Sequence, residues 1–390
     1  MNILVIGNGF DLAHGLPTKY VDFLEMIQCF KSITNEPNIM KAGGLDNIEK
    51  PIYAFLDRFI FEECALRDEF NKLIEDNFWI EYFLQCPMYQ KENWIDFESE
   101  ISNVIQSIDF DMKNNNLKLD DGASIVSNFY LEKFFLKRLS AAELGFGQDL
   151  HVSTFREMRD VLYQDLNKLI RAFEIYLCEY VENIDHMKIS KEINSLGIDH
   201  VLSFNYSHTY QKLYDKSKNI KYDYIHGESR LNNTIESNNM VLGIDEYLNK
   251  KSKDKEIDLI AFKKYYQRIY KETGSEYKNW VDEIANSRYE NESPLREQFP
   301  KQIPYEKFSA KHKVYIFGHS LDITDKDVLR NLILNDNVYT TIYYLNKVVM
   351  GQQIANLVKV IGQDELIRRT GGSTKTIEFK LQAKFVERKE

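Results

Sequence analysis

The sequence predicts an α/β protein with a Rossmann-like, mostly parallel sheet and large helical insertions. Short apolar runs of strand length alternate with stretches whose apolar residues recur every three to four positions, which is typical of helices covering a parallel sheet. The first apolar run, Asn2–Ile6, stops at a glycine-rich turn. About 180 residues then precede the next clear strand, whereas a simple crossover needs only about a dozen. The interval must therefore hold an inserted, mostly helical domain.

The composition is that of a packed globular protein. The chain has 390 residues, of which 43% are hydrophobic and 13% aromatic, so it is long enough for two or three domains and is not a disordered chain. Its net charge of −10 argues against a broad non-specific surface for nucleic acid. Nucleic acid is therefore not an expected partner.

Cysteine usage and hydropathy indicate a cytoplasmic protein. The four cysteines, Cys29, Cys64, Cys86 and Cys178, have no paired spacing and predict neither a disulfide framework nor a zinc ribbon. The first residues lack the basic and apolar regions of a signal peptide, and no run of about eighteen apolar residues follows. We therefore expect no membrane partner.

The first strand leads into Gly7-Asn8-Gly9-Phe10-Asp11, the opening of a nucleotide-binding unit. Glycines let the backbone turn sharply and let a phosphate approach its amides, and the following helix would direct its positive end at that phosphate. The third glycine of the dinucleotide fingerprint would fall at Leu12, so an ordinary tight turn stays open as an alternative. Asp11 stands where a carboxylate could accept a hydrogen bond from a ribose hydroxyl. His14-Gly15-Leu16-Pro17 adds a second turn beside the same strand end.

Helical periodicity dominates the residues that follow. Residues 20–84 carry apolar side chains at helical spacing, and Phe155–Val181 is the longest clean helical pattern. Asn114–Asp121 reads as a surface loop. Before that loop, residues 93–101 combine aromatic residues with carboxylates. These acids either face water on a capped helix or, for Asp96 and Glu98, enter the ligand site.

Strands return after Asp199. They are expected at His200–Phe204, Tyr222–Ile225, Met240–Gly243, Lys313–Phe317, Tyr339–Leu345 and Thr376–Leu381, with a helix at Asp327–Leu334. We therefore assign residues 1–19, 199–245 and 310–390 to a Rossmann-like nucleotide-binding core. Residues 20–198 form an inserted helical domain in this assignment, and residues 246–309 form a second helical insertion.

Polar residues directly follow the first strand and three of the later ones. Besides the first turn they are Asn205-Tyr206, His226-Gly227-Glu228 and Gly318-His319-Ser320. Ligands of open parallel sheets bind beyond the carboxyl ends of the strands, so these residues should line one crevice. They have no metal-ligand spacing, and no metal is predicted. The chain also lacks a Gly-x-Ser-x-Gly elbow and a Walker-type lysine, which argues against an α/β-hydrolase and a P-loop NTPase.

Taken together, these pieces resemble the bacteriophage abortive infection AbiH family. The resemblance is carried by IGNGFDLAHGLPTKYVDFL, WIDFE, LSFNYSHTY, IHGE and FGHSLDITDKDVL, and it extends from Asn2 to about Leu334. The order of the pieces is also similar to that of sirtuin-like proteins of bacterial defence systems. Several of those are NAD glycohydrolases, so the resemblance implies phage defence with NAD as substrate or ligand.

The sirtuin-like resemblance implies roles for individual residues. Asn205 would match the catalytic asparagine and His226 the catalytic histidine. Gly7, Gly9 and Asp11 would match the cofactor-binding turn, and His319 with Ser320 a late loop on the ribose side. Asn8, Phe10, His14, Tyr206, Gly227 and Gly318 complete the expected cofactor-binding set. Asp11 is left as either a ribose anchor or a catalytic acid.

Three hypotheses follow. The first is a defence protein that binds NAD or a related nucleotide and hydrolyses its N-glycosidic bond on infection. The second is a non-catalytic module that senses a nucleotide and acts through a partner or an assembly. The third is a nuclease that uses Asp11, Asp96 and Glu98 with a divalent metal. The expected partners are a nucleotide ligand and a phage-derived trigger or a second defence protein, and a homo-oligomer is compatible with each hypothesis.

Overall fold

The computed structural model describes residues 1–35, 50–62, 64–92, 95–113, 152–184, 188–216, 219–244, 258–298 and 311–387. Contacts between Cα atoms divide the chain into two units. The sheet unit consists of residues 1–18, 184–228 and 272–390, and the helical unit consists of residues 19–183 and 229–271. The sequence-based domain limits stay a prediction. They differ from this division by assigning residues 229–245 to the sheet core and residues 184–198 and 272–309 to the helical insertions.

The sheet unit contains a six-stranded parallel sheet, which confirms the predicted α/β class. Its strands are β1 (Asn2–Ile6), β3 (His200–Ser203), β4 (Lys221–Tyr224), β5 (His312–Phe317), β6 (Val338–Tyr344) and β7 (Ile377–Leu381). Two further strands, β2 (Lys188–Ile189) and β8 (Val386–Glu387), form an antiparallel pair. The strand order is β4-β3-β1-β5-β6-β7. Counted within the sheet this is the 3-2-1-4-5-6 order of doubly wound dinucleotide-binding folds, and the order reverses between β1 and β5.

Strand β1 is the centre of the sheet and is buried on both faces. Ile3 pairs with His200 of β3 and with Val314 of β5. Ile3 and Val5 belong to the apolar cluster of one face, while Leu4 and Ile6 belong to the cluster of the other. A strand buried on both faces reads as a continuous apolar run, and this is why the sequence identified it.

The described residues contain fifteen α-helices, numbered here in chain order. They are α1 (Asn8–Ala13), α2 (Tyr20–Asn35), α3 (Lys50–Phe61), α4 (Cys64–Ile74), α5 (Phe78–Gln85), α6 (Pro87–Glu92), α7 (Phe97–Lys113), α8 (Val152–Glu179), α9 (Lys191–Asn194), α10 (Thr209–Leu213), α11 (Lys264–Tyr270), α12 (Tyr277–Gln298), α13 (Lys326–Ile333), α14 (Lys347–Ile361) and α15 (Gln363–Thr370). Helices α2–α8 and α11 lie in the helical unit and the others in the sheet unit.

Aromatic side chains fill the core of the helical unit. The predicted apolar face of α8 is buried, including Leu162 and Leu166 at 0% exposure. Phe173 and Tyr176 of the same helix pack on Phe23 of α2, with ring centroids 5.1 and 5.4 Å apart. Large rings bury much apolar area each, so they stabilise this unit strongly. The loop predicted at Asn114–Asp121 lies outside the described residues.

The strand predicted at Met240–Gly243 is wrong. These residues are buried, but they form an irregular segment of the helical unit. The Gln267 side chain replaces a neighbouring strand there: its Oε1 accepts from the Leu242 amide at 3.1 Å, and its Nε2 donates to the Leu242 carbonyl at 3.2 Å. Apolar periodicity cannot distinguish this arrangement from a strand, because both bury the same side chains.

We expect Gln267→Ala to destabilise the helical unit by about 2 kcal/mol, because it leaves the buried polar groups of Leu242 unpaired. Urea unfolding followed by tryptophan fluorescence measures the loss, and hydrogen exchange at the Leu242 amide should accelerate. Ile269→Ala, on the same helix at 74% exposure, is the control and should change the midpoint little. Equal midpoints for the two variants would contradict the assigned role of Gln267.

Candidate functional site

The ends of four neighbouring strands meet at the carboxyl edge of the sheet. The Asn205 side-chain amide, after β3, donates to the Gly7 carbonyl, after β1, at 3.0 Å. On the other side of β1, the Gly9 amide donates to the carbonyl of Gly318, after β5, at 2.8 Å. These contacts bring three of the four predicted polar segments together at the reversal point of the strand order, where open α/β sheets bind ligands.

The glycine turn packs against backbone. The amides of Gly7, Gly9 and Phe10 donate to the carbonyls of Phe317, Gly318 and Gly7 at 3.2, 2.8 and 2.7 Å. A Cβ on Gly7 or Gly9 would lie 2.9 or 2.8 Å from the nearest atoms of the Gly318-His319 backbone. The turn therefore needs glycine because the segment after β5 lies directly on it. Contacts between these amides and a phosphate stay a prediction.

Asn205 is held by the hydroxyl of Ser203. The Ser203 Oγ accepts from the Asn205 amide at 3.1 Å and donates to the Asn205 carbonyl at 2.9 Å. With the side-chain Nδ2 bonded to Gly7, the residue is fixed at 6% exposure. No hydrogen bond of Oδ1 to a described residue is found, which leaves this oxygen able to accept one from a ligand or a water.

Asp11 is turned into the protein. Its side chain is 1% exposed, and Oδ2 accepts from the Ser207 hydroxyl at 2.5 Å. The Ser207 Oγ also lies 3.2 Å from the hydroxyl of Thr209. This buried network ties α1 to the segment after β3. The structure thereby gives Asp11 a structural role, and its action as a ribose anchor or an acid stays a prediction.

Phe10 and His14 lie in the core of the sheet unit. Both are 0% exposed, and their rings are 4.4 Å apart between centroids. Burial lowers the pKa of His14 to about 4, so the imidazole is neutral near pH 7. A cofactor could touch either side chain only if this core opened, so their predicted cofactor contacts gain no support from the fold.

His14 belongs to a chain of hydrogen bonds with one consistent set of donors. Nδ1 donates to the Phe10 carbonyl at 2.6 Å, because a carbonyl only accepts. The neutral ring then accepts at Nε2 from the Tyr214 hydroxyl at 2.7 Å, and that hydroxyl accepts from the Ser190 amide at 2.8 Å. The histidine thus fastens α1 to two other segments of the sheet unit.

His226 and His319 are joined by a carboxylate that the sequence analysis did not single out. The Asp325 Oδ1 lies 3.5 Å from His226 Nε2, and Oδ2 lies 3.4 Å from His319 Nε2. The three side chains are only 9, 4 and 12% exposed, for His226, His319 and Asp325 respectively. Phe204 contacts both imidazoles, with ring centroids 5.5 Å from His226 and 4.3 Å from His319. One largely buried acid thus faces two imidazoles at the sheet edge.

Backbone strain fixes the direction of His319. Leu321 has φ of 59°, which is rare for a leucine and recurs at functional sites. In this conformation the Leu321 amide donates to His319 Nδ1 at 2.8 Å. Gln353 Nε2 donates to the His319 carbonyl at 3.2 Å and holds the backbone from α14. The ring is thereby directed at Asp325.

The remaining predicted residues lie around this cluster. The Tyr206 ring is 6.4 Å from the His226 ring, and Gly227 has φ of +78°, which allows the turn after β4. Ser320 is exposed, with its carbonyl accepting from Asn356. Asn8 is exposed and accepts a 2.6 Å hydrogen bond from Thr18. These positions are compatible with ligand contact, which stays a prediction.

Asp96 and Glu98 have structural partners within the helical unit. Asp96 Oδ1 caps α7 by accepting from the Glu98 amide at 3.1 Å, and the Glu98 carboxylate pairs with Lys264 Nζ at 2.7 Å. Within the described ranges no three His, Cys, Asp or Glu side chains form a group that could hold a metal ion. The helix-cap interpretation therefore accounts for Asp96.

The residues missed by sequence reasoning are the supporting ones. Ser203, Ser207 and Asp325 hold the predicted residues in place, but each is a common residue type in a polar segment. Asp325 is one of three acids between positions 322 and 327, and no spacing distinguishes it from the other two. Only the fold selects it.

Comparison with known proteins gives a family. A family model described as bacteriophage abortive infection AbiH matches residues 3–345. Neither the curated proteins nor the solved structures contain a match to this chain. No helix within the described residues is both long and apolar enough to span a bilayer.

Proposed function

This chain belongs to the bacteriophage abortive infection AbiH family, and from that premise we propose that it binds NAD or a related nucleotide and hydrolyses its N-glycosidic bond. Family membership supports an antiphage role in abortive infection. The proposal adds the nucleotide and the reaction. It also adds that the protein acts in the cytoplasm and is triggered by a phage component or a second defence protein.

One observation carries the reaction: an amide and an imidazole follow adjacent strands at the carboxyl edge of the sheet. Asn205 follows β3 and His226 follows β4 closely, and these strands are paired in parallel. Asn205 is anchored through Nδ2 to the Gly7 carbonyl. His226 has a carboxylate behind its Nε2. The anchored Asn205 amide is suited to orienting a water, and His226, with the carboxylate behind it, is suited to accepting the proton of that water.

The proposed step balances without a cofactor. A water oxygen bonds to the anomeric carbon of the ribose while the bond from that carbon to the nicotinamide nitrogen breaks. The bonding electron pair leaves with nicotinamide, which loses its positive charge. Asn205 Oδ1 accepts a hydrogen bond that orients the water or a ribose hydroxyl, and His226 takes the proton of the water. The products are nicotinamide and ADP-ribose.

We expect purified protein, alone or with a lysate of phage-infected cells, to release nicotinamide from NAD. Asn205→Ala and His226→Ala should each lower the rate at least about 100-fold, because each removes a group that orients or deprotonates the water. Liquid chromatography with mass spectrometry measures the product, and plaque assays measure protection against phage.

Matched controls are available on the same unit. Asn279→Ala replaces an exposed asparagine of α12, and His312→Ala replaces a histidine at the opposite end of β5. Both should keep the reaction and protection. Loss of protection in the Asn205 and His226 variants, with no nucleotide consumed by the wild type, would refute the hydrolase. Nucleotide retained at one per chain without turnover would instead support the sensing alternative.

A further inference from the structure

We propose that Asp325 is a positioning residue of this site, which holds His226 through Nε2 so that Nδ1 receives the proton. This inference rests on the proposed function and adds a residue to it. Asp325 ends the 3₁₀ turn Ile323–Asp325 between β5 and α13, so it reaches the site from a segment different from those of Asn205 and His226.

The carboxylate is held between two imidazoles. Each oxygen faces the Nε2 of one histidine, at 3.5 Å for His226 and 3.4 Å for His319. These separations are longer than a normal hydrogen bond, and catalytic contacts often tighten only when the substrate is bound. Phe204 packs on both rings from one side of the cluster.

The two histidines have different roles because their Nδ1 atoms differ. His319 Nδ1 accepts from the Leu321 amide, so the proton of the neutral ring is on Nε2 and points at Asp325. His319 therefore serves to hold the Asp325 carboxylate in place. No partner of His226 Nδ1 is found in the described part of the chain, and this nitrogen is the one able to accept a proton. The strained backbone at Leu321 has a function in this arrangement, because it orients the His319 ring toward Asp325.

The electrostatics favour a proton on His226 during the reaction. Asp325 and the Tyr206 phenol face its ring, and His319 lies beyond that carboxylate. Glu228, two residues further along the chain, faces His208, whose Nε2 lies 2.8 Å from its Oε2. When Nδ1 takes the proton of the attacking water, Asp325 holds Nε2–H and stabilises the imidazolium. On product release the proton passes to solvent.

The test is the pH profile of nicotinamide release by the full chain. Asp325→Asn should lower kcat about 10- to 100-fold with little change in KM, because it removes an interaction made in the transition state. Because the carboxylate charge beside the base is removed, the acid limb of the profile should move to lower pH. Asp325→Glu keeps the charge and should restore the position of that limb.

The control is Asp322→Asn, which perturbs the same turn without touching either histidine. Asp322 Oδ1 caps the turn by accepting from the Thr324 amide at 3.1 Å. Its variant should keep the wild-type profile, and identical profiles for the Asp322 and Asp325 variants would overturn the inference.

A second readout does not depend on turnover. NMR spectra of nitrogen-labelled histidines, with His226 assigned from His226→Gln, should show the proton of the neutral His226 ring on Nε2 in the wild type and a loss of this tautomer preference in Asp325→Asn. A wild type that releases no nicotinamide refutes the proposed function, whereas an unchanged tautomer of His226 in Asp325→Asn refutes this inference.

Discussion

Gly318→Ala is expected to unfold the sheet unit or to destabilise it by at least about 4 kcal/mol. Gly318 has φ of +68°, and a Cβ at this position would lie 2.0 Å from the Phe10 amide nitrogen and 2.4 Å from the Gly9 carbonyl carbon. Both atoms are backbone and cannot move aside. The turns after β1 and β5 would have to separate, which breaks the 2.8 Å hydrogen bond from Gly9 to the Gly318 carbonyl.

Gly372→Ala is the matched control. Gly372 has φ of +70° and no heavy atom within 4 Å of a built Cβ, so its variant carries the conformational cost alone, about 1 kcal/mol. Hydrogen-exchange mass spectrometry of the β1 and β3 peptides measures the stability of the sheet in both variants. Equal hydrogen-exchange protection in the two variants would show that the backbone contact at Gly318 does not affect the stability of the sheet, which would contradict the prediction.

The fold could be predicted to a large extent because its strands have a direct signature in the sequence. A strand buried on both faces must be apolar throughout, which made β1 recognisable, and parallel pairing followed from the helices between the strands. Helix α14 was not predicted, although Asn346 caps it by accepting from the Val349 amide at 3.0 Å. Glycine at 351 interrupts its pattern, and because a Cβ built there would meet no heavy atom within 4 Å, packing does not require the glycine.

The candidate site was predictable only in its outline. Residues that follow parallel strands lie at the same edge of the sheet, so the sequence predicts that Asn205, His226 and His319 lie near one another. Side-chain direction within that edge depends on long-range contacts, which have no local pattern. The glycines of the first turn illustrate this, because the residue type is the same whether a phosphate or the Gly318 backbone lies against them.

The stability of the sheet unit should rise with pH between about 4 and 6.5 because of His14. Its pKa is about 4 in the folded chain, against 6.5 for an unperturbed histidine. The unfolded chain therefore binds more protons than the folded one in this window, so acid favours unfolding. Two and a half pKa units correspond to about 3 kcal/mol. This stabilisation is complete above pH 6.5, falls as the pH decreases, and is lost near pH 4, where both states are protonated.

The comparison of wild type with His14→Gln isolates this group, since the other titrating side chains are common to both. Glutamine removes the titration and weakens the link between Phe10 and Tyr214, so the variant should be less stable at pH 7. The difference between the two chains should shrink as the pH falls from 6.5 to 4, because only the wild type loses the contribution of a neutral histidine. Hydrogen exchange of the β1 amides, corrected for the intrinsic exchange rate at each pH, gives the opening free energies. If the difference stayed constant across this range, His14 would not be the group that is buried neutral.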